Sequence, residues 1–266
     1  EAICGLEIRL EDGRIVSIRG DEQDPLSHGH ICPKAVALQD LESDPDRLRH
    51  PLRRGDDGEW REVGWEEALD EIAARTRRIQ KEHGRDAVGV YLGNPNVHNM
   101  GSILYVRPFL RALGSKSRFS ASSVDQNPHH LAAMLMFGHQ FLLPVPDLDR
   151  TQYLLVLCAN PPACNGRKMT APGMRDRLKA LRRRGGKLVV VDPRRTETAR
   201  VADRHLFIEP GTDAFFLLAL LHVLFDEGLA RPGRSEGFTD GLATLREVVA
   251  EFLPERVAAV TGIAGE

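Results

Sequence analysis

The chain has 266 residues, of which 42% are hydrophobic and 28% charged, with a formal net charge of -2. That is enough apolar material for one large core or two smaller ones. The balanced charge provides no global field to hold nucleic acid or an anionic membrane. No apolar run reaches the roughly 20 residues that span a bilayer, and four cysteines at irregular spacing do not form a disulfide scaffold.

In chain order, Leu6, Ile8 and Leu10 alternate with polar residues, then Asp12-Gly13 precedes Ile15, Val16 and Ile18. This predicts a β-hairpin closed by an Asp-Gly turn. Leu26 to Lys34 is mostly polar and is expected as a loop. Pro45, Pro51 and Gly55-Asp56-Asp57-Gly58 mark Asp44 to Glu62 as a linker or boundary. Ala68, Leu69, Ile72 and Ala73 recur at helical spacing, and Ala87 to Leu92 predicts a short strand.

A second run predicts helix over Leu131–Phe137, strand over Tyr153–Cys158, helix over Met174–Leu181, strand over Lys187–Val191 and strand over His205–Ile208. Alternating strands and helices predict an α/β fold with a mostly parallel, Rossmann-like sheet, preceded by a small β-rich unit. The apolar helix Ala214–Phe225 is expected to pack on that sheet, and Leu245–Val260 adds one or two helices. Arg182-Arg183-Arg184 before Gly185-Gly186 fits a helix C-terminus. The expected divisions are 1–55, 56–120 and 121–266.

In a doubly wound sheet, ligands bind at the carboxyl ends of the strands. Three loops are predicted there: Ala159-Asn160-Pro161-Pro162, Asp192-Pro193-Arg194-Arg195-Thr196, and Pro210-Gly211-Thr212-Asp213. They offer an amide, two carboxylates, guanidiniums and hydroxyls, a set suited to a nucleotide. Asp-Pro and Gly-Thr-Asp are also ordinary turn and cap chemistry. G-x-G-x-x-G is absent after the first of these strands, which argues against a nicotinamide site. Cys158 is expected to be an inert core residue and Cys164 a loop thiol.

With Cys4-Gly5, Cys32-Pro33-Lys34, Trp65 with Glu67-Ala68-Leu69, Gly93-Asn94-Pro95, Asp192-Pro193-Arg194 with Thr196, and Pro210-Gly211-Thr212-Asp213, the chain resembles the molybdopterin oxidoreductase family of formate dehydrogenases, nitrate reductases and dimethyl sulfoxide reductases. The resemblance implies a molybdopterin guanine dinucleotide cofactor carrying molybdenum or tungsten beside a 4Fe-4S cluster. Cys4 and Cys32 match the third and fourth cluster ligands, and Lys34 the lysine between cluster and pterin. The first two cysteines are expected before Glu1, since both ends of the chain read as cut. Four thiolates make the usual set, so the piece alone is not expected to hold the cluster in the usual way. The resemblance implies two pterin dinucleotides in the complete protein, the second usually depending on a C-terminal domain, so the piece alone is expected to be inactive.

The resemblance also implies that Asn160, Pro161, Asp192, Pro193, Arg194, Thr196, Gly211, Thr212 and Asp213 bind the dinucleotide. The metal-ligand slot, counted from Pro128 and Phe137-Gly138, falls on Asp125, a hard oxygen donor. The less favoured reading is that Asp125 N-caps the helix that follows, and Ser122 and Ser123 are neighbouring alternatives. Asp125-Gln126 departs from the Cys-His or selenocysteine-His pair of formate dehydrogenases, which puts formate oxidation in doubt. His129 and His130 could line a substrate funnel or face solvent. Implied partners are a small-molecule substrate and an electron donor or acceptor protein. The cytoplasm is the favoured compartment, and any export leader would precede Glu1. The rival readings are a non-catalytic electron-transfer subunit resembling the large iron-sulfur subunit of respiratory complex I, and a generic nucleotide-binding module.

Overall fold

Asp12 and Gly13 both hold positive φ, +49° and +76°, the combination that turns a chain back on itself in a two-residue hairpin. In the computed structural model, which describes residues 3–166 and 170–265, this turn joins β1 (Leu6–Glu11) to β2 (Arg14–Gly20) in antiparallel register. Glu7 faces Arg19, and their side chains meet at 2.6 Å. Two short helices follow, α1 (Pro33–Val36) and α2 (Leu38–Ser43). The loop expected through Lys34 therefore ends at Cys32, because Pro33 carries the fixed φ that suits a first helical position.

The expected linker over Asp44 to Glu62 is a second hairpin, β3 (Leu52–Arg54) against β4 (Trp60–Glu62). Its Gly and Asp residues form the turn, where Gly55 N–H donates to the Glu59 carbonyl at 2.8 Å and Asp57 pairs with Arg61. Next come α3 (Trp65–His83), β5 (Val90–Leu92), α4 (Met100–Leu113), β6 (Arg118–Ser120) and α5 (Asn127–Phe137). β5 and β6 pair in parallel. The strand expected from Ala87 is shorter because Arg85–Ala87 forms a 3-10 turn.

The remaining elements are β7 (Tyr153–Leu157), α6 (Pro161–Cys164), α7 (Met174–Arg183), β8 (Lys187–Val191), α8 (Glu197–Val201), β9 (Arg204–Leu206), α9 (Asp213–Asp226), α10 (Leu242–Val249) and α11 (Pro254–Thr261). β7, β8 and β9 form a parallel sheet in that order. Met174, Leu178 and Leu181 share one face of α7 and are buried with Leu154, Val156, Leu188 and Val190 of the strands. The protein is thus a mixed α/β structure with parallel sheets. Contrary to expectation, α9 packs chiefly on α10 and α11. Toward the sheet it borders a cavity of about 340 Å³ with Arg204 and Leu206 of β9.

Compactness groups the chain into two units: Glu1–Asp40 with Val145–Glu266, and Leu41–Pro144. The cysteine-bearing start and the three-stranded sheet therefore share a unit. One of the ties between them is the Arg177 guanidinium, which donates to the Leu26 carbonyl at 2.7 Å and to the Pro172 carbonyl at 2.8 Å and pairs with Asp149.

Candidate cofactor site

The three loops converge because their strands run parallel, so each leaves the sheet at the same carboxyl end. Asn160 links the first loop to the second. Its Oδ1 accepts from the Thr198 hydroxyl at 2.8 Å and from the Thr198 N–H at 3.3 Å, and its Nδ2 donates to Glu197 at 2.5 Å. Both acceptor sites of the amide oxygen are then used. The Asn160 hydrogen bond holds the Glu197 carboxyl below the usual carboxylate range.

Cys158 links the first loop to the third, its thiol donating to Asp213 Oδ1 at 3.0 Å. Cys158 is not a core residue, as had been expected. The strand ends one residue earlier, and Cys158 is exposed with φ +46°.

In the second loop Asp192 is buried, and its Oδ1 accepts the Arg194 N–H at 2.8 Å. His205 Nε2 lies 3.0 Å from the Asp192 carbonyl. Pro193 and Arg194 are exposed, while buried Thr196 caps α8 by accepting the Ala199 N–H at 3.2 Å. In the third loop Thr212 donates to the Glu209 carbonyl at 2.7 Å, Gly211 has φ +83° with open space around it, and Asp213 begins α9. Glu197 and Thr198 were not singled out from the sequence. Their only signal is position, at the start of a helix behind a candidate loop.

In the same unit, Asp24 organises the turn between the two N-terminal cysteines. Its carboxylate accepts from the Leu26 N–H at 3.0 Å and from the Ser27 N–H and hydroxyl at 2.5 and 2.7 Å, and Ser27 Oγ in turn receives the Gly5 N–H at 3.0 Å. Gly20 must be glycine here, since a Cβ would lie 2.0 Å from the Gly29 carbonyl oxygen. The result brings Cys4 within electrostatic reach of Cys32. Burial pushes the Cys4 thiol up, the neighbouring Cys32 and Asp24 add to this, and exposed Lys34 opposes it. A bound cation would remove the repulsion between two such thiolates. Among the described residues, no group of three or more His, Cys, Asp or Glu is placed to hold a metal.

Asp125 lies in the other unit, on an exposed turn where its N–H donates to the Ala121 carbonyl at 3.1 Å. It does not cap α5. Gln126 occupies the cap position, without a side-chain bond, and Pro128 opens the helix. Ser122 and Ser123 are tied into the same turn through Ser120. His130 packs edge-on against Phe141, and His129 is exposed.

The profile of the family described as Molybdopterin oxidoreductase matches residues 47–231, well over half of the chain. The chain belongs to the molybdopterin oxidoreductase family. The Molybdopterin oxidoreductase Fe4S4 domain matches residues 2–42, the stretch holding Cys4, Cys32 and Lys34. Relatives of this family member include a probable oxidoreductase of Bacillus subtilis (strain 168), 29% identical over 99% of this chain and 38% of its own length. The nitrate reductase of Symbiobacterium thermophilum is 29% identical over 98% of this chain and 35% of its own. Among solved structures, acetylene hydratase from Pelobacter acetylenicus superposes with a TM-score of 0.77 at 26% identity, covering 98% of this chain and 36% of that one. The chain thus spans about a third of the length of the relatives it matches. No helix among the described residues is long and apolar enough to cross a membrane.

Proposed function

We propose that this chain is the cluster- and dinucleotide-binding part of an enzyme that oxidises or reduces a small molecule by two electrons at a molybdopterin guanine dinucleotide centre, passing electrons through a 4Fe-4S cluster to a partner protein. The observation that carries this reading is the pair of inter-loop contacts, Asn160 with Thr198 and Glu197, and Cys158 with Asp213. They gather one amide and two carboxylates at the carboxyl end of the three-stranded sheet, within the unit that also holds Cys4 and Cys32.

When bound, the cofactor supplies the metal-centred two-electron chemistry, and the protein supplies binding and orientation. In this reading Gly211, whose surroundings are open, admits close approach of the ligand, and Arg194 and the Thr212 region face phosphate oxygens. Asp213 receives N–H donors of the guanine. Asn160 and Pro161 shape the first loop, Asp192 and Pro193 the second, and Thr196 holds the helix behind it. Cys4 and Cys32 ligate the cluster, Lys34 lies beside it as the cation on the electron path, and Asp125 is the metal ligand. A reducing cytoplasm suits the thiol ligands.

The test is metal and nucleotide analysis of the full-length protein beside an Asp125→Ala variant. Molybdenum or tungsten at about one per chain, with about two guanosine monophosphates released on acid hydrolysis, supports the cofactor. Altered metal spectra in the variant support Asp125. Iron with neither metal nor nucleotide would sink the reading in favour of an electron-transfer subunit. The likeness to acetylene hydratase favours a second reading, addition of water without net electron transfer. Turnover that fails to reduce or oxidise any dye would select it.

A further inference from the structure

The conformation of Cys158 is unusual for its residue type. A φ of +46° lies in the left-handed region, where glycine sits without cost and most side chains are disfavoured. The backbone alone does not call for a side chain here. The Cys158 N–H donates to the Val191 carbonyl at 2.9 Å, a bond glycine would make equally well. The residue is exposed, so its side chain does not fill the core. The side chain reaches across 55 residues of sequence to donate to Asp213 Oδ1 at 3.0 Å. Strained non-glycine residues persist at functional sites where the side chain has a task that glycine cannot perform.

We infer that Cys158 is a positioning residue for nucleotide binding: its thiol fixes the Asp213 carboxylate at the start of α9, so that the acceptor is ordered before the guanine arrives. This rests on the role given to Asp213 above. Without the thiol, Asp213 must lose rotamer freedom on binding, and affinity falls by about three- to tenfold, the size expected for ordering one side chain. Glycine is the informative replacement because it removes the hydrogen bond without adding strain. Serine keeps a donor at the same place.

The experiment uses the full-length holoprotein, wild type and the variants Cys158→Gly, Cys158→Ser and Asp213→Asn. Guanosine monophosphate released by acid hydrolysis is counted per chain after identical dialysis in mild denaturant. The expected result is retention several-fold lower in Cys158→Gly, near wild type in Cys158→Ser, and at least as low in Asp213→Asn as in Cys158→Gly. Wild-type retention in Cys158→Gly overturns the inference, as does equal loss in Cys158→Gly and Cys158→Ser. Loss in Cys158→Gly with full retention in Asp213→Asn overturns the route through Asp213. A wild-type protein that releases no guanine nucleotide removes the functional reading itself, and the inference with it.

Discussion

Asn160 and Thr198 are joined twice through one oxygen: the Thr198 hydroxyl reaches Asn160 Oδ1 at 2.8 Å and the Thr198 N–H reaches it at 3.3 Å. Thr198 is fully buried. Replacing it by valine keeps the shape and deletes one donor. The expected cost is about 1 kcal/mol of stability, the usual net value of one such bond, measured by urea unfolding. A loss below about 0.3 kcal/mol would mean that the hydroxyl does not tie the loops together.

Asp203, just before β9, holds β8 through a carboxylate hydrogen bond that protonation would weaken. Its Oδ2 accepts the Leu188 N–H at 2.8 Å, and this bond, helped by Lys187 at 3.9 Å, holds the carboxyl below the usual carboxylate range. A pKa depressed on folding contributes stability that is present above the unfolded value, about 3.9, and is lost as pH falls through the folded value. Asp203→Asn should therefore flatten the fall in stability below about pH 4. Unfolding curves at pH 7 and pH 3 for both proteins check this, and parallel curves would rule it out.

Gly20→Ala should damage the cysteine turn more than the sheet. The added Cβ would meet the Gly29 carbonyl oxygen at 2.0 Å, a clash that backbone must move to relieve, at a cost of about 1 to 3 kcal/mol. Iron bound per chain in the full-length protein should drop well below wild type. Normal iron content would show that the turn adapts.

Asp125→Ala should leave the fold nearly untouched. The residue is exposed and does not cap α5, and surface changes of this kind stay within about 0.5 kcal/mol. Thermal unfolding of the metal-free protein measures it. A larger loss would mean that the carboxylate supports its own turn, and any metal effect of the variant would then be indirect.

How much could be read from the residues follows from what each element buries. β7 and β8 are continuous apolar runs, and α9 is apolar over most of its length, so both kinds of element were legible. α4 was not foreseen, because Pro108 sits inside it and reads as a helix breaker. β6 is Arg-Phe-Ser, with one apolar residue and no alternation to detect. Cys158 was misread because an apolar run carries no sign of where its last residue turns into the left-handed region. The three ligand loops could be located by their place after strands, but their mutual hydrogen bonds depend on register, which short parallel strands do not announce. Cys4 feels the charge of Cys32 across the turn that Asp24 and Ser27 hold, and spacing alone does not reveal it.

The unit that contains both the cysteines and the nucleotide loops is interrupted in sequence by Leu41–Pro144. During synthesis the hairpin of β1 and β2 emerges before the three-stranded sheet, yet the guanidinium that grips the Leu26 carbonyl belongs to Arg177. At about 5 to 20 residues per second, the turn between Cys4 and Cys32 waits on the order of ten seconds for this support. Closing a loop of roughly 150 residues is only slightly costlier than closing one half as long, so the delay is kinetic rather than thermodynamic.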